Sequence, residues 1–199
     1  VDIIGVSGGG FATLAAFMNI EYPVKSFSAW VPISDIEAWY WECVGRGSRY
    51  AEDILSVVSL DKNTFNKETA ILRSPLRQDF PIEKRKNSKL YIYTGIHDGY
   101  KGSVPITHSL YMYNMLVGEL KYGSSDMKEI MKKSLSDSDL IYPEEMLGLL
   151  GKRMNSEYEK NPMLYDRKVH LLRKYENIQL TVFEGRHEQI PQALSLLPY

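Results

Sequence analysis

Val1-Asp2-Ile3-Ile4-Gly5-Val6-Ser7-Gly8-Gly9-Gly10 decides the fold, because the pattern of the chain changes inside it. Residues 1–6 form an apolar, β-branched run ended by glycines, as in a strand buried on both faces. From Gly8 to about Tyr22 the period becomes helical. Phe11, Leu14, Ala15 and Met18 share one stripe, while Ala12, Ala16 and Phe17 make the other faces apolar. A helix apolar nearly all round is a buried one, and Pro23 stops it.

Ser7 stands between the two, within Gly5-x-Ser7-x-Gly9 and one further glycine. That spacing suits a sharp strand-to-helix turn, where the serine backbone is strained and its neighbours must be small. Gly5 and Gly9 are expected to let strand and helix pass closely. The Gly8 N–H is expected to point toward the space beside Ser7 Oγ, where the helix N-terminus favours a developing oxyanion. A phosphate-binding glycine turn is the rival reading. It lacks the G-x-x-x-x-G-K-[ST] pattern and an acidic residue placed for a ribose.

Downstream, residues 24–31 read as a strand and Pro32-Ile33-Ser34-Asp35 as a turn whose Ser or Asp caps a helix over 36–44. Shorter helices are expected at 49–58 and 67–72, a charged surface link at 81–88, a strand at 90–94 and a helix from Pro105 to about Leu120. Residues 122–175 are polar and rich in Met and Lys. They carry no strand signal, and read as a helical insertion or lid with helical stretches near 127–135 and 143–158. A last strand is expected at 178–183 and a closing helix at 189–197. Strands alternating with helices predict a parallel α/β sheet.

A serine nucleophile needs a base held by an acid. In α/β-hydrolase-type folds the order is Ser, then Asp or Glu, then His, each after a strand. Asp98 follows the strand at 90–94, and His187 follows the strand at 178–183. Of the other histidines, His97 neighbours the acid, His108 lies in an expected helix and His170 in the insertion. The reading is therefore one domain over 1–199: an α/β-hydrolase-type parallel sheet flanked by helices, C-terminal half only, with a helical insertion at 122–175 before the last strand. Further strands are expected upstream of Val1. Without them, or a second copy of the chain, the first strand would be an open edge.

Composition bounds the partners. The chain has 199 residues, 44% of them hydrophobic and 25% charged, and 24 basic against 25 acidic residues leave a net charge of −1. That balance gives no reason to expect nucleic acid or an anionic membrane, and no apolar run approaches the roughly 20 residues of a membrane helix. The lone Cys43 excludes an internal disulfide and does not decide between a cytoplasmic and an exported protein. No clustered Cys/His pattern suggests a metal site, and no cofactor is called for.

Several stretches together resemble the catalytic domain of the prolyl oligopeptidase family of serine peptidases and related esterases. Gly5-Val6-Ser7-Gly8-Gly9-Gly10 is similar to its elbow, and Pro32-Ile33-Ser34-Asp35 to the segment after its next strand. Ser74-Pro75-Leu76 resembles the segment before the acid-bearing strand, Gly95-Ile96-His97-Asp98 with Val104-Pro105 and Ser109 the acid segment, and Glu184-Gly185-Arg186-His187 the histidine segment. Residues 99–103 are extra relative to that pattern. The resemblance implies Ser7 as nucleophile, His187 as general base and then acid, and Asp98 as its orienter. By position it also implies Ile33, Ile36 and Trp39 as pocket residues, although core packing explains such apolar residues equally well. The implied substrate is a peptide or an ester. Trp30, Trp39, Tyr40 and Trp41 suit either, so a carbohydrate or small-ester esterase stays open, as does a non-catalytic binding module that keeps the fold.

Overall fold

The computed structural model describes residues 1–152 and 162–198. Five strands, β1 (Asp2–Val6), β2 (Ser26–Trp30), β3 (Lys89–Gly95), β4 (Val169–Tyr175) and β5 (Ile178–Phe183), form one sheet in the order β1-β2-β3-β5-β4. β1, β2, β3 and β5 run parallel, and β4 closes the far edge antiparallel to β5. The chain is thus α/β, with the expected parallel sheet flanked by helices made mixed by one antiparallel edge strand, β4.

The helices are α1 (Gly8–Asn19), α2 (Ile36–Gly45), α3 (Tyr50–Val58), α4 (Lys67–Arg73), α5 (Ile82–Arg85), α6 (Thr107–Tyr122), α7 (Met127–Lys133) and α8 (Pro143–Leu147). α1 and α6 cover one sheet face. There Leu14, Phe17, Leu110 and Leu116 meet Phe27, Leu90, Ile92 and Leu180, all fully buried. Each buried Leu, Ile or Phe contributes about 1.5–3 kcal/mol of transfer free energy. Strand alternation sends Trp30, Tyr93 and Phe183 to the other face, packed with Leu164, Ile190 and Ala193. A third apolar cluster, with Ile33, Ile36, Cys43, Ile54 and Val58, fastens α2, α3 and α4 over the C-terminal ends of the strands.

Asp35 caps α2 as expected, accepting from Ala38 N–H at 3.1 Å. Two of the stretches that carry the family resemblance also bind each other here. Leu76 N–H donates to Ser34 O at 3.0 Å, and Ile36 N–H to Ser74 Oγ at 2.8 Å.

The differences from the sequence reading are local. β4 lies inside the segment expected to be strandless, joined to β5 by Glu176-Asn177, with Glu176 at φ 47°. The helix expected at 143–158 is α8 plus one wide turn, Gly148–Lys152, and its remainder lies outside the described residues. The closing helix reduces to a single 3-10 turn, Ala193–Leu196. The link at 81–88 is not merely surface. Arg85 is 1% exposed, and its guanidinium caps the C-terminus of α1 by donating to the carbonyls of Ala16, Phe17 and Ile20. Among the described residues no helix is long and apolar enough to cross a membrane.

Candidate active site

Parallel pairing aligns the strand ends. Val6, Trp30, Tyr93 and Thr181 stand in register across four strands, so the loops that follow them emerge on one side of the sheet. Ser7 is the first residue past β1. Its N–H donates to Trp30 O at 2.9 Å and its backbone has φ 56°, the strained conformation of an elbow. Although it stands at the helix N-cap, its hydroxyl makes no capping bond to α1 and is left for another partner.

The glycines divide the work differently from expectation. A Cβ on Gly5 would lie 2.1 Å from Gly9 O, and one on Gly10 would lie 2.6 Å from Trp30 O. A Cβ on Gly9 would meet nothing within 4 Å. Gly5 and Gly10 are therefore the positions closed to side chains, and Gly9 is not. Gly8 is exposed at the first turn of α1, where helical N–H groups have no intrahelical acceptor.

His187, in the loop after β5, lies with Nε2 2.7 Å from Ser7 Oγ and Nδ1 2.7 Å from Asp98 Oδ2. A carboxylate only accepts, so Nδ1 carries the proton, and Nε2 is left to accept from the serine hydroxyl. Asp98 is 2% exposed. Its other oxygen accepts from Gly99 N–H at 2.9 Å and Val104 N–H at 3.1 Å. The loops carrying Asp98 and His187 are bound to each other through their backbones: Ile96 N–H donates to Phe183 O, and His97 N–H to Gly185 O.

A second cluster sits beside the first. His97 Nε2 is 2.6 Å from one oxygen of Glu184, and His170 Nε2, from β4, is 2.8 Å from the other. Burial works to raise the Glu184 carboxyl, but the hydrogen bonds from His170 and His97 outweigh it and hold it below its usual value. Arg167 braces the same loop, donating to Glu184 O at 3.0 Å and to both oxygens of Glu188. The Arg186 N–H and then Arg167 hold the Glu188 carboxyl low. Sequence reading singled out none of these residues as a group, because their pairings span loops far apart in the chain. The only local sign was that His97 and Glu184 occupy the strand ends that carry Asp98 and His187. Among the described residues no group of three or more His, Cys, Asp or Glu is arranged to hold a metal ion.

The three expected pocket residues separate. Ile36 and Trp39 line a cavity of about 250 Å³ with Phe11, Ile54, Val57 and Val58. Phe11 brings that cavity to the first turns of α1, four residues after Ser7. Ile33 is 2% exposed in the core cluster and does not line the cavity. Trp30 is fully buried and stacked on Tyr93 at 4.0 Å, which removes it from any substrate surface. His108 is structural: Nδ1 accepts from the N–H groups of Ser34 and Asp35, and Nε2–H donates to Glu42, tying α6 to the loop before α2.

No family model and no curated protein matches this chain. Among solved structures it is similar to an acylaminoacyl peptidase of Pyrococcus horikoshii, at 20% identity and TM-score 0.44, over 58% of this chain and 17% of that one. An acylaminoacyl peptidase in complex with Z-Gly-Gly-Phe-chloromethyl ketone gives 20% identity and TM-score 0.44 over 67% of this chain and 22% of that one. A Mycobacterium tuberculosis puromycin-hydrolyzing peptidase gives 20% identity and TM-score 0.41 over 71% and 17%. The chain spans about a fifth of the length of these neighbours.

Proposed function

We propose that the chain is the catalytic part of a serine hydrolase that cleaves a peptide or ester bond through an acyl-enzyme, most like a prolyl oligopeptidase-family peptidase. The observation that carries this reading is the unbroken chain from Ser7 Oγ to His187 to Asp98, 2.7 Å at each step. Ser7 Oγ attacks the substrate carbonyl carbon while its proton passes to His187 Nε2. The Gly8 N–H, aided by the α1 N-terminus, stabilises the oxyanion. As the bond to the leaving amine or alcohol breaks, His187 returns the proton to it. Water then repeats the sequence on the acyl-Ser7 ester and releases the acid. Asp98 holds the imidazole tautomer and balances its charge in the transition state.

On this reading Ile36 and Trp39 receive an apolar group next to the scissile bond. The open edge of β1 pairs with a further strand, from an upstream segment or a second copy, and the second oxyanion donor comes from that side.

A cavity of about 250 Å³ also suits a short acyl group, which supports a second reading as a small-ester or carbohydrate esterase. Comparing kcat/KM for aryl acetates, acetylated sugars and blocked peptide anilides separates the two. Amide cleavage within reach of ester cleavage supports the peptidase, while turnover of esters alone supports the esterase. No turnover of any substrate by a folded chain would contradict both and leave a binding module.

A further inference from the structure

Helix α2 does more than wall the apolar cavity, because two of its side chains reach across to the loop that covers Asp98. Trp39 donates its indole N–H to Ser103 O at 3.1 Å. Arg46, at the C-cap of α2, donates from Nη1 to Gly99 O at 3.3 Å and Gly102 O at 3.2 Å, and from Nη2 to Ser103 O at 2.8 Å. Its Nε–H returns to Glu42 O in its own helix at 3.1 Å, and the second Nη2 proton faces Cys43 Sγ at 3.9 Å. All five guanidinium N–H groups thus have an acceptor.

The other side of this loop is built around the acid. Gly99 and Val104 supply the two N–H groups that hold Asp98 Oδ1. At Gly102 an added Cβ would lie 2.2 Å from Asp98 Oδ1 and 2.8 Å from His187 Cβ. A loop that close to both groups fixes them only if it is itself fixed, and the fork of Arg46 binds three of its carbonyls. A lysine ammonium, a point donor without the planar fork, cannot serve three carbonyls and the helix end together.

We propose that Arg46 is a positioning residue for the Ser7–His187–Asp98 chain, clamping the loop 99–103 over Asp98 with Trp39 as second anchor. The proposal rests on the hydrolase reading above. The rival is a plain helix cap, since a cation at a helix C-terminus is favourable wherever it occurs. A cap costs stability but is blind to Asp98.

The test uses the full chain and two readouts. For Arg46→Ala, kcat for an aryl acetate falls roughly 10- to 100-fold, as for a small misplacement of a catalytic group, while KM stays near the wild-type value. Arg46→Lys recovers little of the loss, and Trp39→Phe, which removes the indole N–H together with the pyrrole ring at the cavity wall, loses less in kcat and shifts KM as well. Rates of fluorophosphonate labelling then complete a cycle with Asp98→Asn, in which Arg46→Ala adds no further loss because the acid it positions is already gone. Independently of substrate, hydrogen exchange over residues 99–104 speeds up in Arg46→Ala. An equal fractional loss in both backgrounds, or unchanged exchange in the loop, overturns the clamp. Faster loop exchange in a chain that turns over no ester supports the clamp and sinks the hydrolase reading.

Discussion

The loops after β3 and β5 each present a histidine and a carboxylate, and the pairs cross. Asp98 of the β3 loop holds His187 of the β5 loop, and His97 of the β3 loop holds Glu184 of the β5 loop. Both couples join the same two loops at nearly the same length. They differ in where they end. The first is buried at Asp98 and ends on the hydroxyl of Ser7, at a strained elbow. The second is open to solvent at Glu184, whose side chain is 46% exposed, and ends on another imidazole, His170. A histidine–carboxylate couple is therefore not chemistry in itself. What lies at the far end of the couple, a serine hydroxyl or a second imidazole, and whether the carboxylate is kept from water, distinguish the proposed proton relay from a brace.

The largest effect expected from this contrast is kinetic. Asp98→Asn lowers kcat for an activated ester by roughly 10⁴-fold, because the wrong imidazole tautomer is then favoured. Glu184→Gln leaves kcat little changed. If the two substitutions cost the same in steady-state assays, the distinction between relay and brace is wrong.

Next comes Gly102→Ala, whose methyl has no room between Asp98 and His187. It costs on the order of 10²-fold in kcat, whereas the same substitution at Gly9, where the space is open, costs far less. Equal losses at the two sites would break the packing argument for the relay.

The brace is sharpened by pH. The folded-state carboxyl of Glu184 lies below its ordinary value of 4.5, so its contribution to stability is present above that pH and is lost as the pH falls below it. The melting temperature of wild type should therefore exceed that of Glu184→Gln near neutrality, and the gap should close on acidification. A gap that does not narrow in acid contradicts the brace. Smallest of all is Arg167→Gln, which removes a part-exposed ion pair to Glu188 and the bond to Glu184 O, and costs about 1–2 kcal/mol in urea denaturation.

What could be read from the sequence follows the same division. β1 and α1 announce themselves by apolar runs on either side of the glycine turn, and β2, β3 and β5 by short apolar or alternating runs bounded by turn residues. β1, expected to be buried on both faces, is an edge strand and only partly buried. Ser7, Asp98 and His187 fall where the strand order requires them. β4 hid because Val169–Tyr175 is a sheet edge carrying His170, Arg173 and Lys174, so only part of it looks apolar. Its one local sign is Glu176-Asn177, a two-residue connection of hairpin length. Arg46 and Arg85 could not be found at all, and Glu184 showed only its place at a strand end. Each is a charged residue in a charged-looking segment, and its role comes from carbonyls or imidazoles that only the folded chain brings near. Ile33 stayed open between pocket and core, since an apolar residue in a pocket-forming segment reads the same whether it faces ligand or core.

The central claim is that Ser7 is an activated nucleophile. Treating the folded wild-type chain and Ser7→Ala with a fluorophosphonate, and reading intact mass, tests it most directly, since Ser7 Oγ must displace fluoride from phosphorus to be labelled. The account predicts one adduct on wild type, absent from Ser7→Ala. An unlabelled wild-type chain, or an adduct that survives in Ser7→Ala, would contradict it.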